Sequence, residues 1–253
     1  MKPACAAIVL AAGAGTRMDS DLPKPLHPVA GRAMVLRVLD ALAEINAGPI
    51  VMVVGHGAVQ LRAEVGACAP QPDRVVFATQ PDQLGTGDAA RVGLSALGER
   101  PAASDVLVIP GDTPLLRSAS LSRLISARRQ RDAAASLLTA RLDDPTGYGR
   151  IVRTGGTVNI VEQRDASAAQ AATNEINAGV YCFDVAQLRA ALPQLRQANA
   201  ASEYYLTDAI GLLARAGQPI STVTLPDPAE AMGVNDAEQL AACEAALSAR
   251  EPR

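Results

Sequence analysis

The feature that most constrains this 253-residue chain is the passage from an apolar run, Ala4 to Leu10, into Ala11-Ala12-Gly13-Ala14-Gly15-Thr16-Arg17-Met18 and on to Pro23-Lys24-Pro25. The run is short, uninterrupted and β-capable, as a parallel strand buried on both faces should be. Glycines and small alanines then let a ligand approach main-chain N–H groups closely, and successive exposed N–H groups form an anion-binding concavity. Arg17 and Lys24 add two positive charges expected on the same side. The simplest ligand for such a loop is a polyphosphate.

Two other phosphate loops are excluded by detail. The spacing Gly13-Ala14-Gly15-Thr16-Arg17-Met18 approaches a dinucleotide fingerprint, but Met18 stands where the third glycine belongs, and Pro23, Pro25 and Pro28 oppose a helix directly after it. The Gly-Lys-Ser/Thr string of a P-loop is absent. For the glycines alone an ordinary βα turn with solvated charges is an equal reading. Arg17, Lys24 and the prolines together favour phosphate.

Downstream, apolar spacing predicts a helix over 34–47, a strand over 49–54, a helix over 60–65, a strand over 74–78, a small-residue helix over 87–97 and a strand over 105–109. A helix over 118–131 follows, with Leu121, Leu124 and Ile125 on one face. This alternation predicts an α/β fold with a mostly parallel sheet and helices on both faces. From Ala133 onward the pattern turns strand-rich (134–142, 149–162, 177–183), with turn signals at Asp144-Pro145 and Gly155-Gly156. Helices are predicted over 185–197 and 206–216, a strand over 220–225 and an alanine-rich helix over 236–248. The polar, Ala-rich stretch 165–173 reads as a flexible loop. The sheet pattern predicts ligands at strand carboxyl ends, where the Gly13 loop, the 80–86 segment and Asp112 fall.

Composition removes several function classes. With 2% aromatics, no Trp and a net charge of −3, the chain lacks the stacking surfaces and basic balance of a nucleic-acid binder. Cys5, Cys68, Cys182 and Cys243 have no paired spacing; they form neither a disulfide framework nor a zinc signature, and each reads as a small buried apolar residue. With neither a signal-like leader nor an apolar run of membrane-spanning length, the expectation is a soluble cytoplasmic protein.

The candidate chemistry is electrostatic. Asp112, in Gly111-Asp112-Thr113-Pro114, can hold a hard divalent cation at a strand end or serve as a turn aspartate capping the next helix; opposite a polyphosphate loop the metal is favoured. Asn235 can add a neutral oxygen to the same ion or cap the terminal helix. Gln80 and Gln83-Leu84-Gly85-Thr86-Gly87 can meet a base edge or simply lead into a helix. Thr146-Gly147-Tyr148-Gly149-Arg150, Glu162 and Asn177 can line a pocket for a polar substrate such as a sugar; otherwise they are a turn, a solvated glutamate and a strand-edge asparagine. No nucleophile–base pair stands out, and His27, between Leu26 and Pro28, reads as structural. A phosphate-monoester nucleophile with a second pKa of about 6 is already an anion at neutral pH. It needs positioning and cations rather than a general base.

Residues 8–34, through Pro23-Lys24-Pro25-Leu26-His27-Pro28-Val29-Ala30-Gly31-Arg32-Ala33-Met34, resemble the signature of the sugar-phosphate nucleotidylyltransferases. The resemblance is greatest to the uridylyltransferase domain of the bifunctional N-acetylglucosamine-1-phosphate uridylyltransferase/glucosamine-1-phosphate acetyltransferases. It runs from about Ile8 to about Asn235, through Gly111-Asp112, 143–151, Ile160-Val161-Glu162, Glu175-Ile176-Asn177, Glu203-Tyr204-Tyr205-Leu206-Thr207-Asp208 and Gly233-Val234-Asn235.

The resemblance implies a Rossmann-like nucleotidyltransferase fold with a small β-rich sugar-binding subregion. Residues 1–235 would be the pyrophosphorylase domain and 236–253 a C-terminal helix. The implied reaction joins UTP and N-acetylglucosamine 1-phosphate into UDP-N-acetylglucosamine, a peptidoglycan precursor, and pyrophosphate. Leu10, Ala11, Ala12, Gly13, Gln80, Gly85 and Thr86 would hold the uridine, with Gly15, Thr16 and Gly111 beside them. Arg17 and Lys24 would hold the phosphates, Asp112 and Asn235 would bind Mg2+, and Gly149, Glu162, Asn177, Tyr205 and Thr207 would hold the amino sugar, with Asn235 alongside.

Three departures stand out. Pro110 replaces a common Tyr or small polar residue, removing a hydrogen-bond donor. Asp88 stands where His is common. The chain ends at Arg253, so the β-helical acetyltransferase domain and the trimer it holds are expected to be lacking, leaving a monomer or weak oligomer. Two other functions remain open on the sequence: a nucleotidylyltransferase for another sugar or cyclitol phosphate with UTP, dTTP or GTP, and a non-catalytic nucleotide-sugar-binding module.

Overall fold

A computed structural model of the protein describes residues 5–13, 15–98 and 103–250. Ala4 and Ala14 of the expected strand and loop, and 251–253, lie outside the described residues. The apolar run forms β1 (Ala6–Ala11). One-turn 3-10 helices follow at Thr16–Met18 and Lys24–Leu26, then a small hairpin, β2 (Pro28–Val29) and β3 (Arg32–Ala33). The predicted alternation continues with α1 (Met34–Glu44), β4 (Ile50–Val54), α2 (Ala58–Cys68), β5 (Val75–Thr79), α3 (Thr86–Ala96), β6 (Asp105–Pro110) and α4 (Ser118–Gln130). The strand-rich part consists of β7 (Ala135–Arg141), the hairpin β8 (Arg150–Thr154) and β9 (Thr157–Val161), the short α5 (Ala168–Ala171) and the long β10 (Glu175–Asp184). Helices α6 (Val185–Ala191) and α7 (Thr207–Arg215), strand β11 (Ile220–Thr224) and α8 (Ala237–Arg250) complete it.

The main sheet runs β11-β7-β10-β6-β1-β4-β5, with the β8–β9 hairpin attached to β10. Strands β6, β1, β4 and β5 are mutually parallel; β10 is antiparallel to both β6 and β7, and β11 is parallel to β7. Alternate residues of each strand divide between two apolar layers, as the two-residue period of a strand requires. Ala7, Val9, Met52, Val54, Leu107 and Ile109 pack under α1, α2 and α4. Ile8, Val51, Val53, Val106 and Val108 pack on the opposite face under α3, α6 and α7.

The registry aligns the strand ends. Leu10 pairs with both Val53 and Pro110, and Val54 pairs with Thr79. The loops after β1, β5 and β6 therefore emerge side by side. Proline fixes what happens next. With no N–H to donate, Pro110 ends β6, and the β10–β6 ladder stops at Tyr181↔Val108. Beyond that point β10 is irregular between Asn177 and Tyr181, with Gly179 at φ +73° and Pro110 beside it. This kink separates Tyr181 from Asn177, which still pairs with Thr139 at the mouth of the sheet.

Three expectations are corrected. The helix expected over 185–197 stops at Ala191, because Pro193 turns the chain into a 3-10 segment, Leu192–Gln194. The stretch 165–173 carries structure rather than a free loop: Ser167 and Gln170 form a reciprocal capping box on α5, and Arg150 Nε donates to the Ala171 carbonyl at 3.2 Å. Cys5, Cys182 and Cys243 are buried as expected, but Cys68 is exposed at the last position of α2.

Candidate active site

The aligned strand ends form the floor of a cleft with two chambers. The first, about 300 Å3, is lined by Leu10, Ala11, Ala12, Gly13, Lys24, Pro25, Gln80, Gln83, Gly85, Thr86, Ala89, Pro110, Asp112 and Glu203. The second, about 230 Å3, is lined among others by Tyr148, Gly149, Glu162, Asn177, Tyr181, Thr207 and Asn235. They share Leu10, Thr86, Pro110 and Asp112, so a ligand filling one chamber meets a ligand filling the other beside Asp112.

Three separate loops converge there. Lys24 Nζ donates to the Asp112 carboxylate and, at 3.0 Å, to Asn235 Oδ1. Lys24 is fixed by the proline-flanked 3-10 turn. Asp112 follows the end of β6, and its carbonyl accepts from Val234 N at 3.0 Å. Asn235 is not the helix cap: Asp236 accepts from Gln239 N at 2.9 Å to begin α8, while Asn235 N donates to Gln239 Oε1 at 2.7 Å. The side-chain oxygen of Asn235 is thereby left to face Lys24. Helix α8 packs through Cys243, Leu240 and Leu247 onto Met18, Val29, Met34, Leu115 and Val234. The same apolar cluster thus braces both the Lys24 loop and the Asn235 loop.

Lys24 lines the first chamber, whereas Arg17 is exposed and lines neither. The cause is local: in the single turn Thr16–Met18, Met18 takes the buried position, which turns Arg17 outward. Gly15 and Thr16 also lie outside the chamber walls. Gly15, at φ +65°, packs against Lys24 so tightly that a Cβ would stand 2.6 Å from Lys24 Cβ. Gly111 acts through its backbone, donating to the Leu10 carbonyl at 2.8 Å.

In the first chamber, Gln80 is buried and donates through Nε2 to Asp88 Oδ2 at 2.7 Å and to the Gly85 carbonyl at 3.3 Å. Gln83 Nε2 donates to the Ala12 carbonyl at 3.0 Å, tying the β5–α3 loop to the Gly13 loop. Gly85 has φ +106°, and a Cβ there would lie 2.7 Å from the Tyr204 carbonyl oxygen. The 203–206 segment clamps this loop through two main-chain bonds, Tyr204 N to Leu84 O at 2.8 Å and Gly87 N to Tyr204 O at 2.7 Å, and one to a side chain, Leu206 N to Thr86 Oγ1 at 3.1 Å. The Glu203-Tyr204-Tyr205 string therefore packs its backbone against the β5–α3 loop. Tyr205 lines neither chamber, whereas Glu203, which sequence reasoning left without a role, lines the first. The clamp's mark on residue identity lies at Gly85 and Gly87, where a Cβ would meet the Tyr204 carbonyl oxygen at 2.7 and 2.9 Å, and at Thr86, and none of it points to residues 203–206.

In the second chamber, Thr207 Oγ1 donates to Glu162 Oε1 at 3.0 Å. Burial raises the Glu162 pKa above the ordinary glutamate value, against the opposing effect of the Thr207 hydrogen bond. Asn177 Nδ2 donates to the Tyr181 hydroxyl at 2.6 Å, and Asn177 Oδ1 accepts from Gly179 N at 3.2 Å. Burial pushes the Tyr181 phenol well above its usual value, aided by the nearby Glu162 charge. Gly149 packs beside Ile160 and Glu162, since a Cβ would stand 3.1 Å from Ile160 Cγ2 and in ordinary contact, 3.4 Å, with Glu162 Oε2. The wall therefore offers neutral and anionic hydrogen-bonding groups and no cation, a lining suited to hydroxyls and amides. The donor that Pro110 cannot supply is not replaced at that position; its carbonyl accepts from Thr113 Oγ1 at 3.0 Å.

Among the described residues, no group of three or more His, Cys, Asp or Glu side chains is gathered to hold a metal. Asp112 and Asn235 do converge on one point, occupied by the Lys24 ammonium. One carboxylate and one amide oxygen suit a hard cation that takes its other ligands from water and phosphate.

Comparison with known proteins gives the family. The bifunctional protein GlmU of Brevibacillus brevis is 45% identical over 246 residues, covering 96% of this chain and 52% of that protein. GlmU of Limosilactobacillus fermentum is 48% identical over 237 residues, 93% of this chain and 50% of its own length. The chain spans about half the length of the curated relatives it matches. A crystal structure of UDP-glucose pyrophosphorylase complexed with UDP-glucose superposes with a TM-score of 0.75 at 15% identity, covering 99% of this chain and 100% of that one; the two share a fold. Residues 7–209 match the MobA-like NTP transferase domain, and the chain belongs to that family.

Proposed function

We propose that the chain transfers a uridylyl group from UTP to N-acetylglucosamine 1-phosphate, giving UDP-N-acetylglucosamine and pyrophosphate. The observation that carries the reading is the two-chamber cleft whose halves meet at the Lys24–Asp112 pair. It is supported by the end-to-end likeness to the N-terminal half of GlmU. Residues 1–235 would form the catalytic unit, with α8 as the strut that holds Asn235.

In this reading the uridine lies against Leu10 to Gly13, Gln80, Gly85 and Thr86. Glu162, Asn177, Thr207 and the Gly149 backbone accept the amino sugar. The sugar phosphate arrives as an anion, so no residue has to remove a proton. The barrier lies in bringing it to the α-phosphorus of a second anion and in stabilising the departing pyrophosphate. Lys24 turns from Asp112 toward the phosphates and offsets their charge. Arg17 has no hydrogen bond or ion pair among the described residues that a triphosphate would have to break. It sits four residues beyond Gly13 and would reach the same phosphates. Asp112 and Asn235 would hold Mg2+, which supplies charge neutralisation between the two phosphate groups when bound.

A pyrophosphate-release assay over UTP, CTP, GTP, ATP and dTTP, each with a panel of sugar 1-phosphates, tests the assignment. UTP with N-acetylglucosamine 1-phosphate should be the fastest pair. Another pair in first place would reassign the substrate, and no release with any pair would leave a binding module.

A further inference from the structure

Asp88 lies behind the nucleotide chamber rather than in its wall. It is buried on the first turn of α3, with one oxygen accepting from Gln80 Nε2 at 2.7 Å and the other paired with Arg91. Arg91 in turn stacks over the Tyr204 ring, 5.9 Å from its centroid. The Gln80 nitrogen also reaches the Gly85 carbonyl at 3.3 Å. A glutamine amide has two nearly superposable orientations, but a carboxylate and a carbonyl both only accept. The NH2 end must therefore face Asp88 and Gly85. The end left for the chamber is Oε1, an acceptor.

We infer that Asp88 is a positioning residue for nucleobase selection: by fixing the Gln80 amide it makes the chamber present an acceptor to the base edge. Uracil and thymine offer N3–H and guanine offers N1–H, each a donor. Cytosine N3 and adenine N1 are acceptors and would meet Oε1 lone pair to lone pair. A buried polar group left unpaired by the wrong ligand is the strongest form of discrimination available to such a pocket. The inference rests on reading this chamber as the nucleotide's, and it explains discrimination without any charged group touching the base.

The test is Asp88→Asn, because an asparagine amide donates as well as accepts and frees Gln80 to turn its NH2 into the chamber. Asp88→Ala removes the partner outright and serves if the first variant folds poorly. Two readouts are compared with wild type at matched melting temperature: the affinity ratio for UDP over CDP by calorimetry, and the UTP over CTP ratio of kcat/KM. Both ratios should fall about tenfold or more, through KM rather than kcat. Folded variants that keep the wild-type UDP/CDP ratio overturn the assignment and leave the proposed reaction intact. Conversely, variants that lose the ratio, on a wild type that binds UDP but releases no pyrophosphate with any sugar phosphate, would support base selection by Asp88 and overturn the reaction.

Discussion

The Lys24 ammonium lies between the Asp112 carboxylate and the Asn235 side-chain oxygen, joining residues 88 and 211 positions away in sequence. Those are the two oxygens that a divalent cation would use. A unit charge and a double charge cannot occupy one such site together, since like charges a few ångströms apart repel by several kcal/mol at a half-buried position. A divalent cation held there would therefore compete with Lys24 for these oxygens, and an arriving phosphate would give Lys24 another partner.

Lys24→Met should separate these two roles. Without nucleotide, the variant should bind Mn2+, read by electron paramagnetic resonance, more tightly than wild type, because Asp112 is freed of its internal counter-ion. Turnover should nevertheless drop by about 10²–10³, the usual cost of removing one charge contact at a reacting centre. Weaker Mn2+ binding in the variant would mean that the lysine and the metal do not share these oxygens.

Arg17 offers the opposite profile. Because it is exposed and makes no hydrogen bond or ion pair among the described residues, Arg17→Ala should leave the melting temperature unchanged within about 1 °C. Its loss should still slow turnover by about 10²-fold if the triphosphate draws the guanidinium in. Unchanged kinetics would remove Arg17 from the phosphate site and leave Lys24 as its protein cation.

What could be read from the chain divides along physical lines. The βα alternation and strand ends were legible because burial on both faces leaves continuous apolar runs, such as Ile50 to Val54. Asp112, Gln80 and the Gly13 loop were legible because strand carboxyl ends converge by topology. The outward turn of Arg17 was not, since it depends on which residue of a single turn is claimed by the Met18 cluster. Nor was the Lys24–Asn235 contact, which needs α8 folded back across the loop after β1. The clamp by Tyr204 uses main-chain groups that every residue carries; its one mark is the missing side chain at Gly85 and Gly87, where a Cβ would meet the Tyr204 carbonyl oxygen, and a glycine does not say what it makes room for.

Glu162 makes a prediction in pH. Its pKa is raised by burial above the ordinary value of 4.5, so the folded state holds its proton over a range where the unfolded chain has released it. Stability then falls as pH rises from about 4.5 through the folded pKa. Glu162→Gln removes that loss. The variant should melt higher than wild type at neutral pH, with the two converging below pH 4, while its KM for the sugar phosphate rises. Parallel melting curves of the two proteins between pH 4 and 7.5 would show that Glu162 is not destabilised by its surroundings.

Gly15 ties the loop's conformation to its chemistry. At φ +65° a side chain costs about 1–2 kcal/mol, and the added Cβ would stand 2.6 Å from Lys24 Cβ, below any ordinary contact. Lys24 cannot retreat along the chain, because Pro23 and Pro25 fix the backbone on either side. Gly15→Ala should therefore lower the melting temperature by about 2–8 °C and slow turnover as the ammonium is displaced. In a Lys24→Ala background the clash persists, because that substitution leaves the Cβ in place, so the stability loss should recur in full. The rate loss should not recur, because the only route from Gly15 to the reaction runs through the ammonium already removed. Measuring both quantities across the four proteins separates these effects. A rate penalty from Gly15→Ala that survives in the Lys24→Ala background would mean that Gly15 serves the phosphates through its own backbone.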